Sequence, residues 1–244
     1  MLRGAGKNAA RLDPPQTDGL FRLGLIPDWL DRIFHLSVTP IISLLSAGKV
    51  NPNWVTSAGF LLIAIAGYFL MMGRFYHAVG FVILGGIFDF VDGKVAAKTN
   101  RVTQFGAIYD SVIDRYSDMV VFIALAIYFY HQAQFLSALI TIIALMGGFM
   151  TSYIKAIGKS YGIDFRVGFL RRQERITILS IALVFSFLDH HIRDWLGSYL
   201  KVSEQSPNLV IAAGIWFIAV FSNITAVQRL LKLREISRKT RANP

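Results

Sequence analysis

A chain of 244 residues with 54% hydrophobic side chains, a net charge of +10 and a mean hydropathy of +0.50 is too apolar for an ordinary soluble domain. It reads as a membrane protein whose charge is pushed to the edges of its apolar segments. The absence of cysteine excludes disulfides and thiolate chemistry.

Residues 1–19 lack the apolar core of a signal peptide, so the first spanning helix is expected to direct insertion itself. Residues 25–45, LIPDWLDRIFHLSVTPIISLL, alternate apolar and polar side chains with helical spacing, and Trp29 and Phe34 suit the headgroup zone. This predicts an amphipathic helix lying in the cytoplasmic interface. Gly48 to Asn53 breaks the pattern, and Pro52 followed by Asn53 suits the start of a helix. Apolar runs able to cross about 30 Å of hydrocarbon then follow at 54–72, 76–97, 106–130, 134–157, 174–190 and 207–230.

The expected fold is an all-α integral membrane protein with six transmembrane helices and an N-terminal interfacial amphipathic helix. Its parts are a cytoplasmic N-terminal segment (1–50), a membrane domain (51–232) and a basic cytoplasmic tail (233–244). Nearly all of the 25 basic residues fall in the N-terminal segment, the loops after the second and fourth helices, and the tail. Only Arg74, Arg193 and Lys201 fall in the opposite loops, and positive residues accumulate on the cytoplasmic side. Both termini are therefore expected in the cytoplasm of a cell with this protein in its inner membrane.

Four aspartates interrupt this oily chain. Asp89, Asp92, Gly93 and Ala96 fall at i, i+3, i+4 and i+7, on one face near the end of the second helix. Gly106, Asp110, Asp114 and Asp118 repeat every four residues along the third, and the short loop 98–104 is expected to make the two helices antiparallel neighbours. Carboxylates in a membrane segment are costly unless a cation holds them. An all-oxygen set fits magnesium, manganese or calcium, and the lack of nearby cysteine or histidine argues against zinc. The glycines and alanines imply a ligand pressed against backbone, and a divalent metal beside such a pocket suggests phosphate chemistry. The alternative is purely structural pairing of the acids with Arg115, Lys94 or one another.

The run Asp89, Asp92, Gly93, Ala96, Ala97, Gly106, Asp110, Asp114 resembles the signature of the CDP-alcohol phosphotransferase family, with every spacing kept. One position departs: the signature has arginine where this chain has Ala97, a gap that Lys94, Lys98 or Arg101 would have to fill. The resemblance implies a homodimer of six-helix subunits with a cytoplasm-facing site for two divalent ions, Mg2+ or Mn2+. It implies that Asp89, Asp92, Asp110 and Asp114 bind metal, with Asp114 also the general base. Asp92, Gly93, Ala96 and Gly106, with Pro52, Asn53 and Thr56 at the entry to the first helix, would bind the CDP moiety. An acceptor hydroxyl would attack the diphosphate of a CDP-linked lipid, and CMP would leave.

A second cluster, Lys155, Lys159, Arg166, Arg171, Arg172 and Arg175, follows the fourth helix. Positive-inside bias explains part of it, and guanidinium groups at a helix start are suited to a phosphate dianion. Ser152-Tyr-Ile-Lys-Ala, Arg172-Gln-Glu-Arg and Thr225, Gln228 and Arg229 are similar to the phosphatidylinositol-phosphate synthase branch, although Gln173 stands where that branch has proline. By that resemblance Lys155, Arg172, Arg175 and Arg229 bind the phosphate of inositol phosphate, and CDP-diacylglycerol is the donor. Glycerol 3-phosphate would need a similar pocket. A cation transporter would need acids open to both sides, and an inactive relative has only Ala97 in its favour. His190 and His191 point about 100° apart on a helix, which disfavours a metal site. Gly85, Gly86, Gly147 and Gly148 suggest close helix packing. The basic stretch from Arg229 to Arg241 beside a membrane helix fits anionic lipid better than nucleic acid.

Overall fold

The computed structural model describes residues 28–165, 167–189, 191–192, 195 and 208–242. Expectations for residues 1–27, Arg166 and His190, and for the side chains of Trp29 and Phe34, lie outside the described set. The chain divides into two compact units, Met1–Ser37 and Val38–Pro244. Of the first unit only the start of a helix, α1 (Asp28–Ala47), is described. The second unit carries the site.

The helices after α1 are α2 (Pro52–Met71), α3 (Phe75–Lys98), α4 (Gln104–His131), α5 (Phe135–Ser160), α6 (Arg172–Val184) and α7 (Leu209–Ala242). They match the six predicted segments to within a few residues, with two exceptions: α6 ends early and continues as a 3-10 turn, Phe185–Leu188, and α7 runs on to Ala242, well past the predicted end at 230. Among the described residues there is no strand. The protein is an all-helical membrane protein, and α2, α5 and α7 are long and apolar enough to cross a bilayer. Helix α3, at about 36 Å, and α4, at about 42 Å, have the length but carry the acids.

Local chemistry sets the helix ends. Asn51 caps α2 by accepting from Asn53 N at 3.1 Å, and Pro52 occupies the first turn, where a missing N–H costs nothing. Thr103 caps α4 by accepting from Gly106 N at 2.9 Å. Glu174 caps α6 by accepting from Arg171 N at 2.7 Å.

Tight turns at Gly73, Asn100 and Ala133, each with positive φ, reverse the chain between α2 and α5. Helix direction alternates, so the start of α2, the end of α3, the start of α4, the end of α5, the start of α6 and the end of α7 gather at one end. The opposite end holds a dry core that includes Leu70, Phe75, Leu125, Phe129, Leu183 and Ile211.

Glycines set the helix separations. A Cβ on Gly85 would lie 2.6 Å from Ile63 Cδ1, and one on Gly147 would lie 2.6 Å from Asn223 Nδ2. Gly148 admits the Arg175 guanidinium in the same way, with Arg175 Nε 3.1 Å from that position. Gly86 differs from the expectation, because among the described residues nothing lies within 4 Å of where its Cβ would stand.

Candidate active site

The two aspartate stripes meet at the gathered end, though not by direct packing of α3 on α4. Helix α2 packs on both, and α6 is the other main partner of α3. The physical reason lies in the stripes themselves: like-charged acids and small residues offer no apolar ridge to interdigitate. What remains between the stripes is a cleft backed by α2.

One carboxylate oxygen from each of Asp89, Asp110 and Asp114 lies within 4.8 Å of the others. Three carboxylates this close repel one another unless cations intervene. Here the cation is Arg172, at the first position of α6. Its Nη1 is 3.0 Å from Asp89 Oδ2 and 2.7 Å from Asp114 Oδ1, and its Nε is 3.3 Å from Asp118 Oδ1. The contact with Asp114 Oδ1 is electrostatic, because this buried oxygen accepts no aligned hydrogen bond. Arg115 adds a contact of 3.5 Å to Asp114.

Asp92 stands apart from the three converging acids. It is buried and accepts a short hydrogen bond from Thr56 Oγ1, which also reaches Pro52 O at 3.2 Å. That bond ties α3 to the start of α2 and explains why Pro52, Asn53 and Thr56 lie beside the site. Gly106 meets Asn53, whose Oδ1 would be 3.4 Å from an added Cβ. Among the described residues no atom lies within 4 Å of where a Cβ on Gly93 would stand, and this position of α3 is exposed. Ala97 is exposed in the last turn of α3. The cations near it are engaged: Lys98 donates to Ser43 Oγ at 3.1 Å, Arg101 donates to Lys49 O at 2.8 Å, and Lys94 sits 5.3 Å from the Phe90 ring centre.

The basic residues divide into two groups. Arg172 and Arg175 are paired with aspartates: Arg175 is 1% exposed, with Nη2 2.9 Å from Asp118 Oδ2 and Nη1 3.3 Å from Thr151 Oγ1. Arg229 on α7 donates instead to backbone, from Nε to Val167 O at 2.9 Å and from Nη1 to Thr151 O at 2.6 Å. Half-buried Lys155 lies within electrostatic reach of Arg229, Lys159 and Arg171, with Asp164 as the opposing charge. Gly168, at φ 122°, carries the loop against Thr225 and Arg229 where no side chain fits.

Sequence reasoning placed Asp118 on the stripe without giving it a task, and did not single out Thr151, Ser57 or Tyr109. Ser57 Oγ and Tyr109 OH are 2.7 Å apart and join α2 to α4. Thr151 stands one turn before Lys155, and Tyr109 immediately precedes Asp110; adjacency to a site residue was the only signal for either.

A membrane bundle with converging aspartates at one end of its helices, flanked by a cationic wall, now has a class. The chain belongs to the CDP-alcohol phosphatidyltransferase family, which it matches over residues 49–225, and is accordingly a transferase. It is 29% identical over 207 residues to the phosphatidylinositol phosphate synthase of Streptomyces avermitilis, covering 84% of this chain and 80% of that one. It is 32% identical over 138 residues to the archaetidylinositol phosphate synthase of Methanothermobacter thermautotrophicus, covering 57% of this chain and 68% of the other. Its fold is similar to the crystal structure of Mycobacterium tuberculosis phosphatidylinositol phosphate synthase with CDP-DAG bound: TM-score 0.67, 28% identity, 80% of this chain and 92% of the other. A second crystal structure of that enzyme contains manganese and citrate and gives the same TM-score of 0.67.

Proposed function

We propose that this enzyme transfers a phosphatidyl group from CDP-diacylglycerol to inositol phosphate, releasing CMP and forming phosphatidylinositol phosphate. The observation that carries the reading is the meeting of Asp89, Asp110 and Asp114 within 4.8 Å, beside a separate group of cations. Relatives named for a phosphatidyl and for an archaetidyl product share the inositol phosphate part of the name. They support the acceptor more strongly than the lipid chains of the donor.

The residues fit a divalent cation: the donors are all carboxylate oxygens, and one oxygen of Asp114 is buried without a hydrogen bond. Asp89, Asp110 and Asp114 would hold it, with Asp92 completing the set for two ions, Mg2+ or Mn2+. Bound there, the cations would neutralise the diphosphate of the donor and the charge developing on CMP. Open Gly93, with Ala96 and Gly106, lets the nucleotide lie against backbone, and the Thr56–Asp92 bond fixes the α2 side, with Pro52 and Asn53, of that surface. Asp114 takes the proton of the attacking hydroxyl on its carboxylate. Lys155, Arg172, Arg175 and Arg229 supply the positive field for the phosphate of the acceptor. Attack is direct and forms no covalent enzyme intermediate.

In the same reading α2 to α7 are six spans of the inner membrane, with both ends and the site on the cytoplasmic side. The divisions 1–50, 51–232 and 233–244 follow from it. The subunit pairs as a homodimer on the strength of the family resemblance. The end of α7, with Lys232, Arg234, Arg238 and Lys239, meets anionic lipid.

Purified protein given magnesium, CDP-diacylglycerol and either inositol phosphate or glycerol 3-phosphate tests the central claim through CMP release. Faster release with inositol phosphate is expected. Preference for glycerol 3-phosphate would replace the acceptor and leave the chemistry intact.

A further inference from the structure

Asp118 is a carboxylate without a part in the chemistry above. It lies one turn beyond Asp114 on the same face of α4, yet it is not one of the three acids that converge. Its side chain is 12% exposed, and its two oxygens serve different arginines: Oδ1 faces Arg172 Nε at 3.3 Å and Oδ2 faces Arg175 Nη2 at 2.9 Å. Arg175 is 1% exposed, so it meets an acceptor only through the field it projects and the groups it holds. Its Nη1 contacts Thr151 Oγ1 at 3.3 Å, and the carbonyl of Thr151 accepts from Arg229 Nη1 at 2.6 Å. One connected path therefore runs from Asp118 on α4 through Arg175 on α6 and Thr151 on α5 to Arg229 on α7, with Arg172 as a branch toward the converging aspartates.

We propose that Asp118 is a positioning residue for the acceptor: it fixes Arg172 and Arg175, and through Thr151 Arg229, as a rigid cationic wall beside the aspartate cluster. Two physical reasons support this. A guanidinium buried as deeply as that of Arg175 needs a paired anion, because an unpaired buried charge is strongly destabilising. Long arginine side chains lose much rotamer freedom when they order on a ligand, and a wall already held by a carboxylate has lost it in advance. Arg172 contacts Asp118 through Nε and the pair Asp89 and Asp114 through Nη1 at the same time. Its Nε contact to Asp118 holds the guanidinium at the boundary of the two subsites.

The proposal rests on the acceptor reading above, so its test has one arm on turnover and one on binding alone. Asp118→Asn keeps the shape and removes the charge. The KM for inositol phosphate should rise about tenfold or more, while kcat and the KM for CDP-diacylglycerol change less than about threefold. Asp118→Glu should recover part of the loss. An unchanged acceptor KM overturns the proposal, as does a parallel loss of kcat and rise of both KM values together with a lowered melting temperature. If lone Arg175 prevents Asp118→Asn from folding, Asp118→Asn with Arg175→Met removes both charges of the buried pair. This double variant should fold and still show the raised acceptor KM, and a wild-type KM in it also overturns the proposal.

The second arm measures protection by inorganic phosphate in thermal melts of the purified protein in detergent. Protection of the wild type and its loss in Asp118→Asn are expected. If no phosphorylated polyol supports CMP release but phosphate protection still depends on Asp118, the acceptor reading falls and the positioning role stands. Equal protection of both proteins, or none of the wild type, removes the positioning role.

Discussion

Asp114 meets two demands at once, since it belongs to the converging trio and also carries the proposed role of proton acceptor. Asp114→Asn keeps the size and removes both abilities, so CMP release should fall at least about a hundredfold. The melting temperature should hold, because relief of carboxylate repulsion offsets the lost contact with Arg172. Gly93 provides an opposite kind of test. With nothing within 4 Å of a new Cβ, Gly93→Ala should stabilise α3 by about 1 kcal/mol through helix propensity. It should nevertheless raise the KM for CDP-diacylglycerol, and an unchanged KM would mean that no ligand lies against this face. Ala97 is exposed while Lys98 and Arg101 are tethered elsewhere. Ala97→Arg is thus expected to lower the donor KM, read from CMP release at varied donor.

Among the elements, the α2–α3 seam shows how a glycine sets helix distance. Gly85→Val would drive two methyl groups into Ile63, whose Cδ1 is already 2.6 Å from the Cβ position. A loss of about 1–3 kcal/mol is expected from overpacking, visible as a lowered melting temperature. Gly86→Ala, facing open space, should not lower it and, like Gly93→Ala, should gain helix propensity. The sequence treated these adjacent glycines alike, because helical position alone does not say which flank another helix covers. It also made α3 and α4 direct neighbours, whereas each packs on α2 instead. A short turn brings two helix ends together, but ridge-and-groove packing determines that both lean on α2 and leave a cleft between them.

For the whole molecule, alternating helix direction puts every proposed site residue at one end. A cluster confined to one end gives no path open to both sides, so the architecture favours a transferase over a transporter. The cysteine-free chain allows a direct check of orientation. Single variants Gly162→Cys and Ala133→Cys should react with a membrane-impermeant thiol reagent only from the cytoplasmic and only from the outer side, respectively. Labelling of both from one side would contradict the six-span reading. Removal of divalent cations with EDTA should abolish CMP release, with recovery on adding Mg2+ or Mn2+.

Hydropathy determined the membrane class, because about 20 apolar residues in a row have few other stable homes. Helical periodicity put the acids on two faces, and their spacing with the small residues between them identified the family. These are local properties of one strand of sequence, readable without coordinates. Pairing across helices is not local. That Arg172 and Arg175 lie against aspartates, that Asp92 turns to Thr56, and that Asp118 joins the aspartate cluster to the basic wall were decided only when α2, α3, α4, α5, α6 and α7 packed together. A buried charge takes whichever partner the assembled helices bring within reach, and residues 54 positions apart in the chain, such as Asp118 and Arg172, carry no mark of one another until the fold brings them together.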